Sequence, residues 1–149
     1  MEWRNEKGLL HRVNGPALIY DDGHVEWWLD GHVEWWLNGQ RHRVDGPAIE
    51  RDKAYKVWYL NNQLHRSDGP AVEHDDGSAE WWINDQRHRV DGPALIDRDG
   101  TKKWYLHGKR HRADGPAVIR ATGVQEWWIN GEQLTQFEHW VITGTKETV

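Results

Sequence analysis

The chain has 149 residues, of which 19 are Lys or Arg and 24 are Asp or Glu. Its net charge of −5 gives it no overall attraction for nucleic acid or for an anionic membrane. It has no Cys, which excludes disulfides, thiolate metal sites and a cysteine nucleophile. Aliphatic residues are scarce, but twelve Trp supply apolar area, because each can bury about 150–250 Å². We expect a single repeat domain over residues 1–149.

One heptapeptide recurs along the chain. Four copies read His-Arg-x-Asp-Gly-Pro-Ala and begin 23 residues apart, at positions 42, 65, 88 and 111. The first copy, 11–17, has Asn in place of Asp and begins 31 residues before the second. A fixed period of this length is typical of repeat proteins. It predicts an N-terminal half unit at 1–10 and repeats over 11–134.

The sequence of each repeat unit predicts two short strands. An apolar stretch follows Gly-Pro-Ala, an Asp-Gly turn comes next, and an aromatic strand such as 81–83 leads to a second turn of the Asn-Gly type. Such dipeptides between short apolar runs predict hairpins, because both central residues of a type I′ turn need a positive φ. The predicted fold class is all-β, with hairpin repeats stacked into an elongated, twisted antiparallel sheet.

The longer spacing between the first two heptapeptides comes from a duplication. Residues 23–30 are repeated at 31–38 with seven of eight positions identical. A looped-out copy would expose Val25, Trp27 and Leu29, so we favour an extra strand. One added strand would reverse the direction of everything that follows it.

The C-terminal end departs from the repeat. Thr135 and Glu138 have the spacing of a helix capping box. We predict a short capping helix over 135–142, followed by a loose tail at 143–149. Its expected apolar face, which would cover the last strand, comprises Leu134, Phe137, Trp140 and Val141.

Strand alternation assigns the two aromatics of each pair to opposite faces. The first aromatic is expected on the core face, together with the residue two after each Pro: Leu18, Ile49, Val72, Leu95 and Val118. The second aromatic is expected on a wetter face, as an aromatic ladder with binding potential: Trp28, Trp36, Tyr59, Trp82, Tyr105 and Trp128. Its rungs would lie roughly 10 Å apart, so side chains or a ligand must fill the gaps.

The heptapeptide has two interpretations. Gly is expected to supply an unusual φ, and Asp-Gly-Pro is a turn in which Asp can bond to a nearby Arg or His, which predicts a structural corner. Alternatively, the repeated Arg side chains form a row of cations that faces an anionic ligand. The candidate residues for either role are His42, Arg43, His65, Arg66, His88, Arg89, His111 and Arg112.

Neither metal binding nor catalysis is predicted. Neighbouring copies of the repeated His would lie about 10 Å apart, whereas Zn–N bonds are about 2.0–2.1 Å long. His65-Arg66-Ser67-Asp68 contains the letters of a catalytic triad, but the members of a triad converge from distant positions. No cofactor is expected.

The units resemble the MORN-type repeat family, in which an aromatic strand closes on Asn-Gly or Asp-Gly and a His follows three residues later. Glu-Trp-Trp-Leu-Asn38-Gly39-Gln-Arg-His42 carries this pattern, and the resemblance covers about residues 8–134. It implies stacked hairpins and no catalytic residues. The usual His-Gly-x-Gly is here the longer His-Arg-x-Asp-Gly-Pro, which is similar to repeats of bacterial and bacteriophage proteins, some labelled antitoxin-like.

The leading functional prediction is a non-catalytic protein-binding or scaffold module that uses an aromatic–Arg face, antitoxin-like or active in phage counter-defence. The second is a protein that sequesters a small nucleotide-like, anionic or sugar ligand. The third is a self-assembling homo-oligomer, such as a homodimer. No nucleic acid or membrane partner is expected, and the lack of an apolar leader predicts a cytoplasmic protein.

Overall fold

The structure is a computed structural model that describes residues 1–8, 12, 15–29, 32–52 and 54–145. Several sequence features lie outside the described residues. They are His11 and Asn14 of the first heptapeptide, the Asp30-Gly31 turn, and the end of the predicted tail at 146–149.

Within the described residues, regular structure is β except for one helix. The elements in chain order are β1 (Leu18–Ile19), β2 (His24–Leu29), β3 (His32–Leu37), β4 (Gln40–Arg41), β5 (Ile49–Arg51), β6 (Tyr55–Val57), β7 (Tyr59–Leu60), β8 (Gln63–Leu64), β9 (Val72–His74), β10 (Ala79–Glu80), β11 (Trp82–Ile83), β12 (Gln86–Arg87), β13 (Leu95–Ile96), β14 (Lys102–Lys103), β15 (Tyr105–Leu106), β16 (Lys109–Arg110), β17 (Val118–Ile119), β18 (Gln125–Ile129), β19 (Glu132–Leu134) and α1 (Gln136–Thr143).

The strands form one long antiparallel sheet with short hairpins attached. The sheet order is β1-β2-β3-β5-β6-β9-β10-β13-β14-β17-β18-β19, with β4 paired to β3. Strands β7-β8, β11-β12 and β15-β16 form separate hairpins. The predicted all-β fold of stacked hairpins is therefore confirmed. No helix in the described part of the chain could span a membrane.

The first Trp of each pair marks the passage from the sheet to a hairpin. The N–H of Trp58 donates to the carbonyl of Ala71 in the sheet, at 2.8 Å. Its carbonyl accepts from the N–H of His65 in the hairpin, at 3.2 Å. The hairpin turns keep their shape without Gly, since Asn61 and Asn62 have φ values of 51° and 64°.

The pairing register corrects the predicted faces. Ile49 lies opposite both Glu34 and Val57, and Val57 lies opposite Val72. Directly opposite residues share a face. Ile49, which lies two residues after a Pro, is therefore on the same side as Glu34, which precedes the first Trp of its pair. That is the side of the second aromatic, not of the first. Counting alternation through the Gly-Pro corner was wrong because pairing sets the register.

Packing agrees with this register. Tyr59 and Trp82, both second aromatics, pack against a buried cluster of Ile49, Val57 and Val72. The Ala that ends each heptapeptide has no exposed surface, and these residues are Ala17, Ala48, Ala71, Ala94 and Ala117. The core is therefore a thin layer of small aliphatic side chains with aromatic rings along its margin.

The duplicated octapeptide forms an extra strand, as predicted. β2 pairs antiparallel with β3 along its whole length, and Glu26 lies opposite Trp35. Trp28 lies opposite Val33, so it shares the face of Trp35 and not that of Trp36. Trp28 is therefore not a rung of the predicted ladder. The unit that precedes β3 is turned over relative to the later units.

The predicted capping helix is confirmed, but its buried face differs. Thr135 is the N-cap with a full capping box, and α1 packs against β18 and β19. His139 is fully buried and its Nε2–H donates to the carbonyl of Arg112 at 2.8 Å. Phe137 and Val141, predicted to cover the sheet, are 71% and 67% exposed. The polar anchor at His139 sets the rotation of the helix.

Removal of residues 23–30 tests whether the extra strand turns over the unit that precedes β3. Asp22 would then precede Gly31, which keeps an Asp-Gly turn and makes all heptapeptide spacings equal. In the full chain, the turn at Asp21 and the residue Arg51 lie at opposite ends of β3, roughly 17 Å apart along the strand. In the shortened chain they would be neighbouring turns, about 10 Å apart.

Cysteines placed at Asp21 and Arg51 provide the measurement, since the chain has none of its own. A bis-maleimide that spans neighbouring turns but not a strand length should crosslink only the shortened chain. Equal crosslinking of both folded chains would contradict the inversion.

Candidate functional site

The Arg of each heptapeptide is stacked on the first Trp of the adjacent aromatic pair. The Cζ of Arg66 lies 3.9 Å from the ring centroid of Trp58, and that of Arg89 lies 4.1 Å from Trp81. The same contact joins Arg43 to Trp35 and Arg112 to Trp104, and Arg12 lies in the same way over Trp3, which is not part of an aromatic pair. At this distance the cation interacts with the indole face.

The heptapeptide Gly closes the other side of the guanidinium. A Cβ added to Gly69 would lie 2.8 Å from the Cζ of Arg66, and one added to Gly92 would lie 2.9 Å from that of Arg89. These two glycines do not have a positive φ, so the expectation that they supply unusual backbone geometry is wrong. Close approach of the Arg is the reason for glycine here. We call the stacked Arg, Trp and Gly the corner clamp.

Hydrogen bonds orient the clamped Arg. The Nε of Arg66 donates to Asp68 at 2.9 Å, and its Nη1 donates to the carbonyl of Pro70 at 3.1 Å. Arg43, Arg89 and Arg112 make the same two bonds within their own heptapeptides. The geometry is that of the structural corner.

The heptapeptide His bonds to the hairpin turn 19 residues further along the chain and not to its own Asp. The backbone N–H of Asn61 donates to Nδ1 of His42 at 3.2 Å, and that of His107 donates in the same way to His88. His65 and His111 lie within 2.6 and 3.0 Å of the side-chain oxygens of Asn84 and Asn130. These His residues therefore tie each corner to the hairpin turn that follows.

The corners bury their cations and expose their anions. The four Arg side chains that pair with Asp are 21–26% exposed, whereas their Asp partners are 79–86% exposed. The Arg hydrogen bond lowers the pKa of each carboxyl below its usual value. The outermost charges along this face are therefore carboxylates, at Asp45, Asp68, Asp91 and Asp114. The predicted row of outward-facing cations is not what the surface presents.

Successive corners enclose clefts of the same build. Three clefts lie between consecutive corners from residue 43 to residue 114, with volumes of about 530, 440 and 470 Å³. Each has a clamped Trp and a Leu or Ile on its floor and residues of two corners as its walls. Val44 and Val90, at the variable heptapeptide position, are 83% and 82% exposed at the cleft margins. We call this side of the sheet the corner face.

The predicted ladder occupies the opposite face, without Trp28. Its gaps are filled by side chains: the Cζ of Arg41 lies 4.8 Å from the ring centroid of Trp36 and 5.7 Å from that of Tyr59. Arg87 bridges Trp82 and Tyr105 in the same way. Arg110 lies over Trp128 and donates to the hydroxyl of Tyr105. Leu64 lies opposite Tyr59 and packs on the same buried cluster as Tyr59 and Trp82.

Exposure does not separate the two aromatic rows. Both aromatics are half-buried in each pair from 35–36 to 127–128, as Trp81 and Trp82 illustrate. The predicted contrast between a dry first row and a wet second row is wrong. Each row has its own Arg cover, which shields both to a similar degree.

On the ladder face, the sequence also marks which aromatic residues have a hydrogen-bond partner, and the predictions above did not use this signal. Wherever the second aromatic is Trp, Glu precedes it by two residues; where it is Tyr, that position holds Val57 or Lys103. The indole N–H of Trp82 donates to Glu80 at 3.0 Å, and Trp36 and Trp128 have matching partners in Glu34 and Glu126. Trp needs this acceptor because its N–H is half-buried.

Among the described residues, no three His, Asp or Glu side chains are grouped so as to hold a metal ion. Comparison with protein-family models, with curated proteins and with solved structures finds no match to this chain.

Gly69→Ala tests the corner clamp. The added methyl should displace Arg66 from Trp58 and lower the free energy of unfolding by about 1–2 kcal/mol, the scale of a partly desolvated cation–π contact. In an Arg66→Ala background the same change should cost almost nothing. Urea unfolding of the four chains measures this coupling, with Ser67→Ala as an exposed control. An equal cost in both backgrounds would place the effect in the backbone.

Acid should weaken the corners. Because the folded-state pKa of Asp45, Asp68 and Asp91 is lowered by Arg, their contribution is present above the unfolded pKa of about 3.9. It is lost as the pH falls through the lower folded pKa. The urea midpoint should therefore fall as the pH is lowered from about 5 to about 2.5, and by less in the triple Asp→Asn variant. Parallel pH profiles for the two chains would contradict this.

Proposed function

We propose that this chain is a non-catalytic repeat module that binds a protein partner along its corner face. The observation that supports this most is the series of three similar clefts between consecutive corners. A repeated cleft suits a partner that presents successive side chains in a line. The MORN-like character of the repeat is part of the same proposal.

The chemistry of the clefts favours recognition of a polypeptide. Each is lined by a half-buried Trp, by a Leu or Ile and by charged residues of two corners. Trp and Arg are enriched among the residues that dominate binding energy at protein interfaces. The exposed Val44 and Val90 add apolar contact at the rim. The ladder face is a weaker candidate, because its rings already pack on the core and on Arg side chains.

A small planar ligand is the second candidate, supported by the presence of Trp and Arg in every cleft. The two candidates differ in stoichiometry. A small ligand would occupy several equivalent clefts, whereas an extended partner would bind once across them. Self-assembly and an antitoxin-like role stay predictions from the sequence.

Selection from a displayed library of unstructured peptides tests the proposal, with Val44→Arg plus Val90→Arg as the blocking variant. Both positions are exposed, so folding should be unchanged, while the long side chains cover the cleft margins. Selected peptides should bind the variant at least about tenfold more weakly, as expected when one well-packed anchor is lost.

Val124→Arg is the matched control, because Val124 is exposed and lies outside the corners. Peptides that bind the native chain and both variants equally would place any interaction elsewhere on the molecule. Calorimetry with the selected peptides gives the number of sites.

A further inference from the structure

We propose that the corner face recognises a polypeptide segment in the polyproline II conformation that carries Lys or Arg at every third position, with each cation placed on one heptapeptide Asp. This inference rests on the proposed function and specifies the chemistry of the partner. It follows from the negative sign of the outermost charges, from the carboxylate oxygen that each heptapeptide Asp keeps available, and from the distance between neighbouring Asp residues.

The sign comes from the depth of the two charges in each corner. Each Arg is stacked on an indole and held by Asp and a Pro carbonyl, while the Asp points outward. A ligand that approaches the face meets the carboxylate before the guanidinium. The neighbouring cross-strand row of Glu50, Lys56, Glu73 and Lys102 is balanced in charge and leaves the sign unchanged.

Each of these Asp side chains retains an oxygen for a ligand. In all four corners Oδ1 accepts from the Arg Nε, and Oδ2 has no hydrogen bond among the described residues. A carboxylate accepts through both oxygens, so a second cation can bind without breaking the corner. The lowered pKa of these carboxyls keeps them charged near neutral pH.

The spacing sets the period of the partner. Each unit contributes two strands to the sheet, so neighbouring Asp residues lie about 10 Å apart. An extended chain spans about 3.3–3.6 Å per residue, and a polyproline II helix about 3.1 Å with three residues per turn. In the polyproline II form every third side chain therefore returns to the corner face at about this interval, whereas the side chains of a β-extended chain alternate and every third one points away.

Three peptides of equal length test this. One is Lys-Pro-Pro repeated four times, the second has the same composition with its four Lys adjacent, and the third has Glu in place of Lys. The first should quench or shift Trp fluorescence and bind at least about fivefold more tightly than the second, as misplaced surface ion pairs are worth up to about 1 kcal/mol each. The third should not bind.

The matched variant replaces Asp45, Asp68, Asp91 and Asp114 with Asn, the residue that the first heptapeptide carries naturally at Asn14. Asn can still accept from the Arg Nε, so circular dichroism should show an unchanged fold. Binding of the periodic peptide should fall by about tenfold or more and lose most of its salt dependence. Unchanged binding of this peptide would overturn the proposal, as would equal affinity for the two Lys peptides or tighter binding of the Glu peptide.

These results separate this inference from the proposed function. If the displayed library yields peptides that lack Lys and Arg but depend on unblocked Val44 and Val90, the corner face is a binding face and this inference fails. If no peptide from either source is sensitive to the blocking variant, both fail.

Discussion

The structure depends on the stacking of one guanidinium between one indole and one glycine in each unit. This clamp links the heptapeptide to the aromatic strand of the adjacent unit, as with Arg66 on Trp58, while His65 ties the same corner to the next turn. Because the aliphatic core is thin, such contacts between neighbours hold the array together, and each unit depends on the next.

The clamp also decides the character of the surface. Arg is drawn inward by the indole and by a Pro carbonyl, and its Asp partner is left outside. Each of the four His-Arg-x-Asp-Gly-Pro-Ala motifs carries one Arg and one Asp and is neutral as a whole, yet the surface that they form is a row of exposed carboxylates. The sign of a surface follows from the depth of its charges as much as from their number.

The duplicated octapeptide shows how a short insertion changes a whole repeat. Eight residues add one strand, β2, and an odd number of strands reverses the chain direction of a meander. The register then places Glu26 opposite Trp35, so identical sequences present opposite faces on β2 and β3. The first unit is thereby excluded from the surface that the later corners share.

The sequence alone determined the turn positions, the extra strand and the capping box at Thr135, because turn chemistry, alternation and capping are local properties. It predicted one continuous aromatic strand such as 81–83, whereas the structure breaks that strand at the first Trp. The sequence also located the heptapeptide as a corner. Only the tertiary structure decided which aromatic shares a face with Ile49, since register across a Gly-Pro corner depends on strand pairing. The same holds for the depth of Arg66 relative to Asp68 and for the rotation of α1 about His139. These features depend on strand pairing, burial and packing in three dimensions, which the order of residues along the chain does not show directly.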